Sequence, residues 1–152
     1  PISDKKEFLS NDYKFPAILK VDPYRKEDLF YSADNDMLAY FAKNGYVSVK
    51  VDIRGTGSSD GVVPDREYSK NELDDIMEVI ELLSDMPWCN GNIGMIGKSW
   101  SGFNSIMIAS RKPKPLKAFV ALHGSQDLFF RDVHYLDGVM HLDTFPILMD
   151  ND

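Results

Sequence analysis

Residues 97–102 read Gly-Lys-Ser-Trp-Ser-Gly, between the apolar run Asn92–Ile96 and the mixed stretch Phe103–Ala109. A strand that turns at once into a helix pushes the side chain at its tip into the open, and small flanking residues let the backbone make that turn. Ser99 at such a tip suits acyl transfer: its oxygen attacks a carbonyl carbon, and neighbouring N–H or O–H groups stabilise the oxyanion that forms. The plainer reading of the same residues is a helix-capping serine in a glycine-rich connection. A serine attacks only beside a base, and the chain holds three histidines. His123 ends an apolar run and reads as a packed, hydrogen-bonded residue, while His134 and His141, the latter with Asp143, fall in an aperiodic stretch. Asp127 is placed to orient a histidine, yet no spacing pairs it with one, so a self-contained triad is not expected.

A second glycine-rich stretch, Arg54–Gly61 (RGTGSSDG), follows a strand-like run. A dinucleotide-binding turn needs a third glycine or alanine three residues after the second, with a helix directly behind it. Here Ser59 and Asp60 fill that place and Gly61 comes one position late. The expectation is a structural loop, with Asp52 and Arg54 as an internal ion pair.

The elements that must carry these residues alternate. Pro16–Val21 reads as a buried strand, and Ala33–Asn44 as a helix with Ser32 as N-cap and Gly45 as stop. Tyr46–Ile53 is rich in β-branched residues and predicts a second strand. Ser69 and Glu72 make a capping box, followed by Leu73, Ile76, Met77, Ile80 and Leu83 at helical spacing until Pro87. On that helix Asp74, Asp75, Glu78 and Glu81 read as the solvated face. Asn92–Gly97, Trp100–Arg111 and Leu116–Leu122 complete a βαβαβαβ order, which implies an α/β fold with a parallel sheet and helices on both faces. In such a sheet ligands gather at the carboxyl ends of the strands. Those positions are Asp22, Pro23 and Tyr24, then Arg54 onward, Ser99, and His123 with Gly124. After His123 no period is visible.

The whole of the 152-residue chain is ordinary for a globular protein, with 43% hydrophobic and 27% charged residues. Seventeen basic against 24 acidic side chains give a net charge of -7, which argues against nucleic acid or an anionic membrane as partner. No apolar run approaches a membrane span, and PISDKKEF lacks the order of a signal peptide, so a cytoplasmic setting is the expectation. The lone Cys89 excludes an internal disulfide and a cysteine-based zinc site. No motif asks for a cofactor or a metal.

Four blocks in order carry a resemblance: DPYRK (22–26), DIRGTGSSDG (52–61), PWCNGNIGMIGKSWSG (87–102) and RDVHYLDG (131–138). Together they resemble the cocaine esterase and X-prolyl dipeptidyl peptidase group of α/β-hydrolases, which also includes α-amino acid ester hydrolases and cephalosporin acylases. In that group the elbow glycine two places after the serine gives way to one three places after it, the position of Gly102, so Ser101 is no objection. The resemblance implies a serine hydrolase acting on a small-molecule ester, amide or short peptide. Ser99 matches the nucleophile, Tyr24 the tyrosine whose hydroxyl donates to the oxyanion, and Trp100 the residue whose backbone N–H is the second donor. It also implies a partial hydrolase core over 1–124 and the start of a helical cap insertion over 125–152, with Trp100 and Phe129 candidates to line an acyl pocket. The family's catalytic Asp and His, and its jelly-roll domain, would then lie beyond Asp152. On that reading the isolated chain is expected to be inactive, a non-catalytic α/β module, and to associate through exposed sheet edges.

Overall fold

The computed structural model of the chain describes residues 13–28, 31–130 and 135–140. Strands β1 (Phe15–Asp22), β2 (Val47–Asp52), β3 (Cys89–Lys98) and β4 (Leu116–Leu122) form one parallel sheet in the order β2-β1-β3-β4. Helices α1 (Tyr31–Lys43), α2 (Lys70–Asp85) and α3 (Trp100–Arg111) connect them in turn. The path from β1 to β2 runs one way across the sheet, and the paths from β2 to β3 and β3 to β4 run the other. Right-handed crossovers therefore place α1 on one face and α2 with α3 on the opposite one, where α2 and α3 also touch each other.

The two faces are held differently. Towards α2 and α3 point Ala17, Leu19 and Val21 of β1 with Ile93 and Met95 of β3, meeting Leu73, Ile76, Ile80 and Ile108 in one apolar cluster. On the α1 face β1 instead presents the buried Lys20, which pairs with Asp34 of α1; Lys50 of β2 pairs with the same carboxylate. Burial pushes the Asp34 carboxyl up, but Lys20 and Lys50 together outweigh it and hold the group below its ordinary value.

The α2 start keeps half of its capping box. Ser69 Oγ accepts the Glu72 N–H at 3.2 Å, whereas the Glu72 carboxylate accepts the N–H of Tyr68, one residue earlier than the box requires, at 3.1 Å. The reason is burial: Glu72 is 1% exposed and is turned towards α3. Ser32, expected as an N-cap, lies inside α1, which begins at Tyr31. Asp74 pairs with Lys70 and Arg111, so of the four carboxylates expected on a solvated face only Glu78 and Glu81 are exposed and unpaired among the described residues.

The expected Asp52–Arg54 pair does not form. Arg54 reaches Asp75 of α2, while Asp52 accepts the N–H of Lys26 at 2.6 Å and of Ser58 at 3.1 Å. β2 ends at Asp52, so Arg54 already lies in the loop, where the strand alternation no longer holds it beside Asp52 and its side chain turns to α2. The loop spends its own donors as well: Gly55 N–H goes to Asp60 O at 3.0 Å and Ser59 N–H to Thr56 O at 2.9 Å. Three of the loop's N–H groups, those of Gly55, Thr56 and Ser59, are thus spent on carbonyls of the same segment.

Beyond Gly124 the described residues carry no helix; they hold a turn at 128–130 and a two-stranded antiparallel hairpin, β5 (Tyr135–Leu136) with β6 (Val139–Met140). Among the described residues β2 and β4 are the sheet edges, and Phe119, Val120 and Leu122 of β4 are each about half exposed.

Two measurements check this account. Ile80→Ala removes a fully buried side chain from the centre of the cluster and is expected to lower the unfolding free energy by about 2–5 kcal/mol in urea titration. For Asp52, burial raises the pKa, but the N–H groups of Ser58 and Lys26 and the Lys26 ammonium outweigh it and lower the value below 3.8. A depressed carboxylate contributes fully above its unfolded pKa and loses that contribution as pH falls through the folded one. The urea midpoint of Asp52→Asn is therefore expected to be lower at neutral pH and to fall less steeply below pH about 4 than that of the unaltered chain.

Candidate active site

β1 and β3 are neighbours whose onward connections leave in opposite directions, which makes the carboxyl ends of these two strands the point where a crevice opens in such a sheet. Ser99 stands immediately past β3 and Tyr24 two residues past β1. Across that gap Ser99 Oγ and Tyr24 Oη are 3.0 Å apart, a hydrogen bond between residues 75 positions distant in sequence.

The backbone at Ser99 is left-handed, with φ 59° and ψ -124°. For a residue with a Cβ this conformation costs about 1–3 kcal/mol and persists only where surrounding contacts dictate it. Those contacts are specific. Ser99 N–H donates to Leu122 O of β4 at 2.9 Å, and Phe103 N–H donates to Ser99 O at 3.0 Å. Ser101 Oγ closes the turn on the other side, donating to Lys98 O and accepting the Lys98 N–H, each at 3.1 Å. A Cβ on Gly97 would lie 2.2 Å from the Ser101 carbonyl carbon, and one on Gly102 would lie 2.6 Å from Leu122 O. The two glycines thus let β3, α3 and β4 close on the turn. The Ser99 side chain makes no capping hydrogen bond to α3, so the capping reading is wrong: its hydroxyl is committed to Tyr24.

Tyr24 is set by the strand that precedes it. Its N–H donates to Asp22 Oδ1 at 3.1 Å, and the wholly buried Asp22 is ion-paired through Oδ2 with Lys20 at 3.1 Å. Trp100 opens α3, so its N–H lies outside the i to i−4 ladder and at the positive end of the helix dipole. The Trp100 indole is half-buried: Nε1–H donates to Glu72 Oε1 at 2.7 Å, and the ring lies 5.2 Å from that of Tyr68. Its ring is thus held at Nε1 by α2. Phe129 is 55% exposed and packs edge-on against Phe130 at 4.8 Å.

The remaining candidates divide. His123 is exposed rather than packed, with φ 51°, and among the described residues its imidazole makes no hydrogen bond; the carbonyl that serves the elbow belongs to Leu122 before it. Asp127 is occupied in a turn, accepting the N–H groups of Phe129 and Phe130 at 3.1 and 2.9 Å. His134, His141 and Asp143 lie outside the described residues. Among the described residues no histidine is bonded to Ser99, and no group of His, Cys, Asp or Glu suits a metal ion. A cleft of about 370 Å³ opens elsewhere, under the loop after β2 and against α2, with Asp52, Arg54, Glu72 and Ile76 in its wall. Sequence reasoning missed the buried Glu72 and Asn104; the available signal was a polar residue on each of two otherwise apolar helix faces.

A parallel sheet with a left-handed serine between β3 and α3, and a hydroxyl meeting it from the next strand, defines an α/β-hydrolase core. Residues 9–151 match the X-Pro dipeptidyl-peptidase (S15) family, and the chain belongs to that family of hydrolases. It is 32% identical over 120 residues to the cocaine esterase of Rhodococcus sp., covering 78% of this chain and 20% of that protein. Against the Xaa-Pro dipeptidyl-peptidase of Lactobacillus helveticus it is 28% identical over 141 residues, covering 79% and 18%. The crystal structure of a CocE/NonD family hydrolase from Staphylococcus aureus superposes with a TM-score of 0.76 at 30% identity, over 91% of this chain and 28% of that one. The chain spans between 13% and 25% of the length of the curated relatives it matches.

Alanine at Gly102 tests the close approach of α3 to β4. The added methyl must displace Leu122 O, so Gly102→Ala is expected to cost roughly 1–3 kcal/mol in urea titration; an unchanged midpoint would show that the turn has slack.

Proposed function

We propose that the chain carries the nucleophile and oxyanion-binding part of a serine hydrolase that cleaves ester or amide bonds of small molecules or short peptides. The observation that carries this reading is the 3.0 Å contact between Ser99 Oγ and Tyr24 Oη at a left-handed strand-to-helix turn. Two of the relatives are named for an ester substrate and for X-Pro peptide bonds, which supports the bond classes.

Ser99 Oγ attacks the substrate carbonyl carbon and gives up its proton to a general base. The carbonyl oxygen becomes an oxyanion, which accepts hydrogen bonds from Tyr24 Oη–H and the Trp100 N–H. In this step the Tyr24 Oη–H points to the oxyanion, a short movement because the two oxygens are already in contact. Collapse of the intermediate breaks the C–O or C–N bond, the leaving group takes the proton, and an acyl ester remains on Ser99. Water then attacks that ester, again through the oxyanion site, releasing the acid and restoring the hydroxyl. The base is a histidine that the described residues do not bring to Ser99.

That last point favours a second reading, a non-catalytic α/β module, when the 152-residue chain stands alone. Intact-mass analysis after fluorophosphonate treatment separates the two. Stoichiometric labelling that is lost in Ser99→Ala supports the hydrolase. A folded chain that takes up no label supports the module. Where labelling occurs, Tyr24→Phe is expected to slow it about 100-fold, the usual cost of one oxyanion donor.

A further inference from the structure

The Glu72 carboxylate is 1% exposed and has no cationic partner among the described residues. A buried carboxylate without a counter-ion is costly unless N–H or O–H donors satisfy it, and three N–H groups converge on this one. Oε2 accepts the Tyr68 N–H at 3.1 Å, while Oε1 accepts the Trp100 indole Nε1–H at 2.7 Å and the Asn104 Nδ2–H at 2.9 Å. Two of the three donors belong to successive turns of α3, on the same side of that helix. Asn104 reaches onward to Val21 O at 3.4 Å, in the strand that leads to Tyr24. One carboxylate therefore joins the start of α2, the start of α3 and, through Asn104, the end of β1.

The consequence falls on Trp100. A tryptophan at the first position of a helix has several rotamers available, and the first turn of a helix has few backbone hydrogen bonds to fix it. Here the indole is pinned at Nε1 and flanked by Tyr68. A side chain anchored at its tip limits how far its Cα, and with it the adjoining Ser99–Trp100 peptide, can turn.

We infer that Glu72 is a positioning residue of the oxyanion site, holding the Trp100 backbone N–H in line through the Trp100 indole. This rests on the reading of Trp100 as an oxyanion donor. Glu72 touches no substrate; it acts on the reaction only through Trp100. A donor aimed at the place where charge develops is effective because it needs no rearrangement at that moment, so a loosened Trp100 amide lowers the rate without abolishing the nucleophile.

The test compares four variants of the 152-residue chain: Glu72→Met, which keeps the bulk and removes the acceptor; Glu72→Gln, which keeps one acceptor oxygen; Trp100→Phe, which removes only the indole donor; and the Glu72→Met/Trp100→Phe double variant. Folding is checked by urea titration. Amide hydrogen exchange and the chemical shift of the Trp100 backbone N–H are read by NMR, and the fluorophosphonate labelling rate of Ser99 is read per folded molecule. The expected result is that Glu72→Met speeds Trp100 amide exchange and shifts its resonance, and slows labelling on the order of 10-fold or more. Trp100→Phe should slow labelling by the same factor, the double variant should be no slower than either single one, and Glu72→Gln should recover most of the rate. A merely structural carboxylate would lower the urea midpoint and leave the labelling rate per folded molecule untouched; that result, or single effects that multiply in the double variant, would overturn the inference. If Glu72→Met fails to fold, the comparison rests on Trp100→Phe, which leaves the carboxylate in place, and on Glu72→Gln, which fills its site with a polar group. Failure of Ser99 in the unaltered chain to label would instead strike at the acyl-transfer reading. The Trp100 amide shift in Glu72→Met would still decide whether Glu72 positions Trp100, and an unmoved amide would reject it.

Discussion

The structure depends on one constraint: the backbone must pass through a left-handed serine between β3 and α3. That conformation is unfavourable by itself, and the turn holds it because three elements close on it at once. β4 takes the Ser99 N–H on Leu122 O, α3 takes the Ser99 carbonyl, and the glycines at 97 and 102 leave room for contacts that a methyl group would forbid. A fully buried aliphatic side chain contributes about 1.5–3 kcal/mol, so two or three members of the cluster around Ile76, Ile80 and Ile93 offset the strain. The apolar face of the sheet thus supports a turn that the local sequence alone would not adopt.

Polar groups inside the molecule follow a common rule. Asp22, Asp52 and Glu72 are all buried, all sit at or near the carboxyl end of the sheet, and each accepts a backbone N–H from a neighbouring segment: Tyr24, Lys26 with Ser58, and Tyr68. A charged acceptor on a backbone donor is stronger than a neutral one and more costly to break once buried. These carboxylates fix the segments that surround the serine, and they do so from the sheet outward. The α1 face, held by the Lys20–Asp34–Lys50 pairing, feeds the same arrangement, since Lys20 also neutralises Asp22.

Much of this was legible in the sequence, for a physical reason. Strands and helices announce themselves by period and by punctuation, so β3, α3 and β4 fall within a few residues of expectation, and the GKSWSG turn stands out because glycine on both sides of a serine has a geometric purpose. Tyr24 and Ser99 were reached through strand ends in a parallel sheet and through the family resemblance, not through their mutual distance, which no local pattern encodes. The misreadings share one cause. Arg54, Glu72 and His123 were judged by their neighbours in sequence, while their partners, or the lack of them, are set by segments dozens of residues away. A capping box describes what Glu72 does to its own helix and is silent about an indole 28 residues further on.

The strand order carries a consequence for when the serine becomes a serine of this kind. Among the described residues β1 pairs with both β2 and β3, and the turn after β3 is closed by a carbonyl of β4, which follows it in sequence. During synthesis on the ribosome the elbow therefore cannot be completed until Leu122 has emerged and docked. Up to that moment Ser99 lacks one of the contacts that hold its backbone at φ 59°. The topology couples the shape of the turn to the docking of a strand that is made after it.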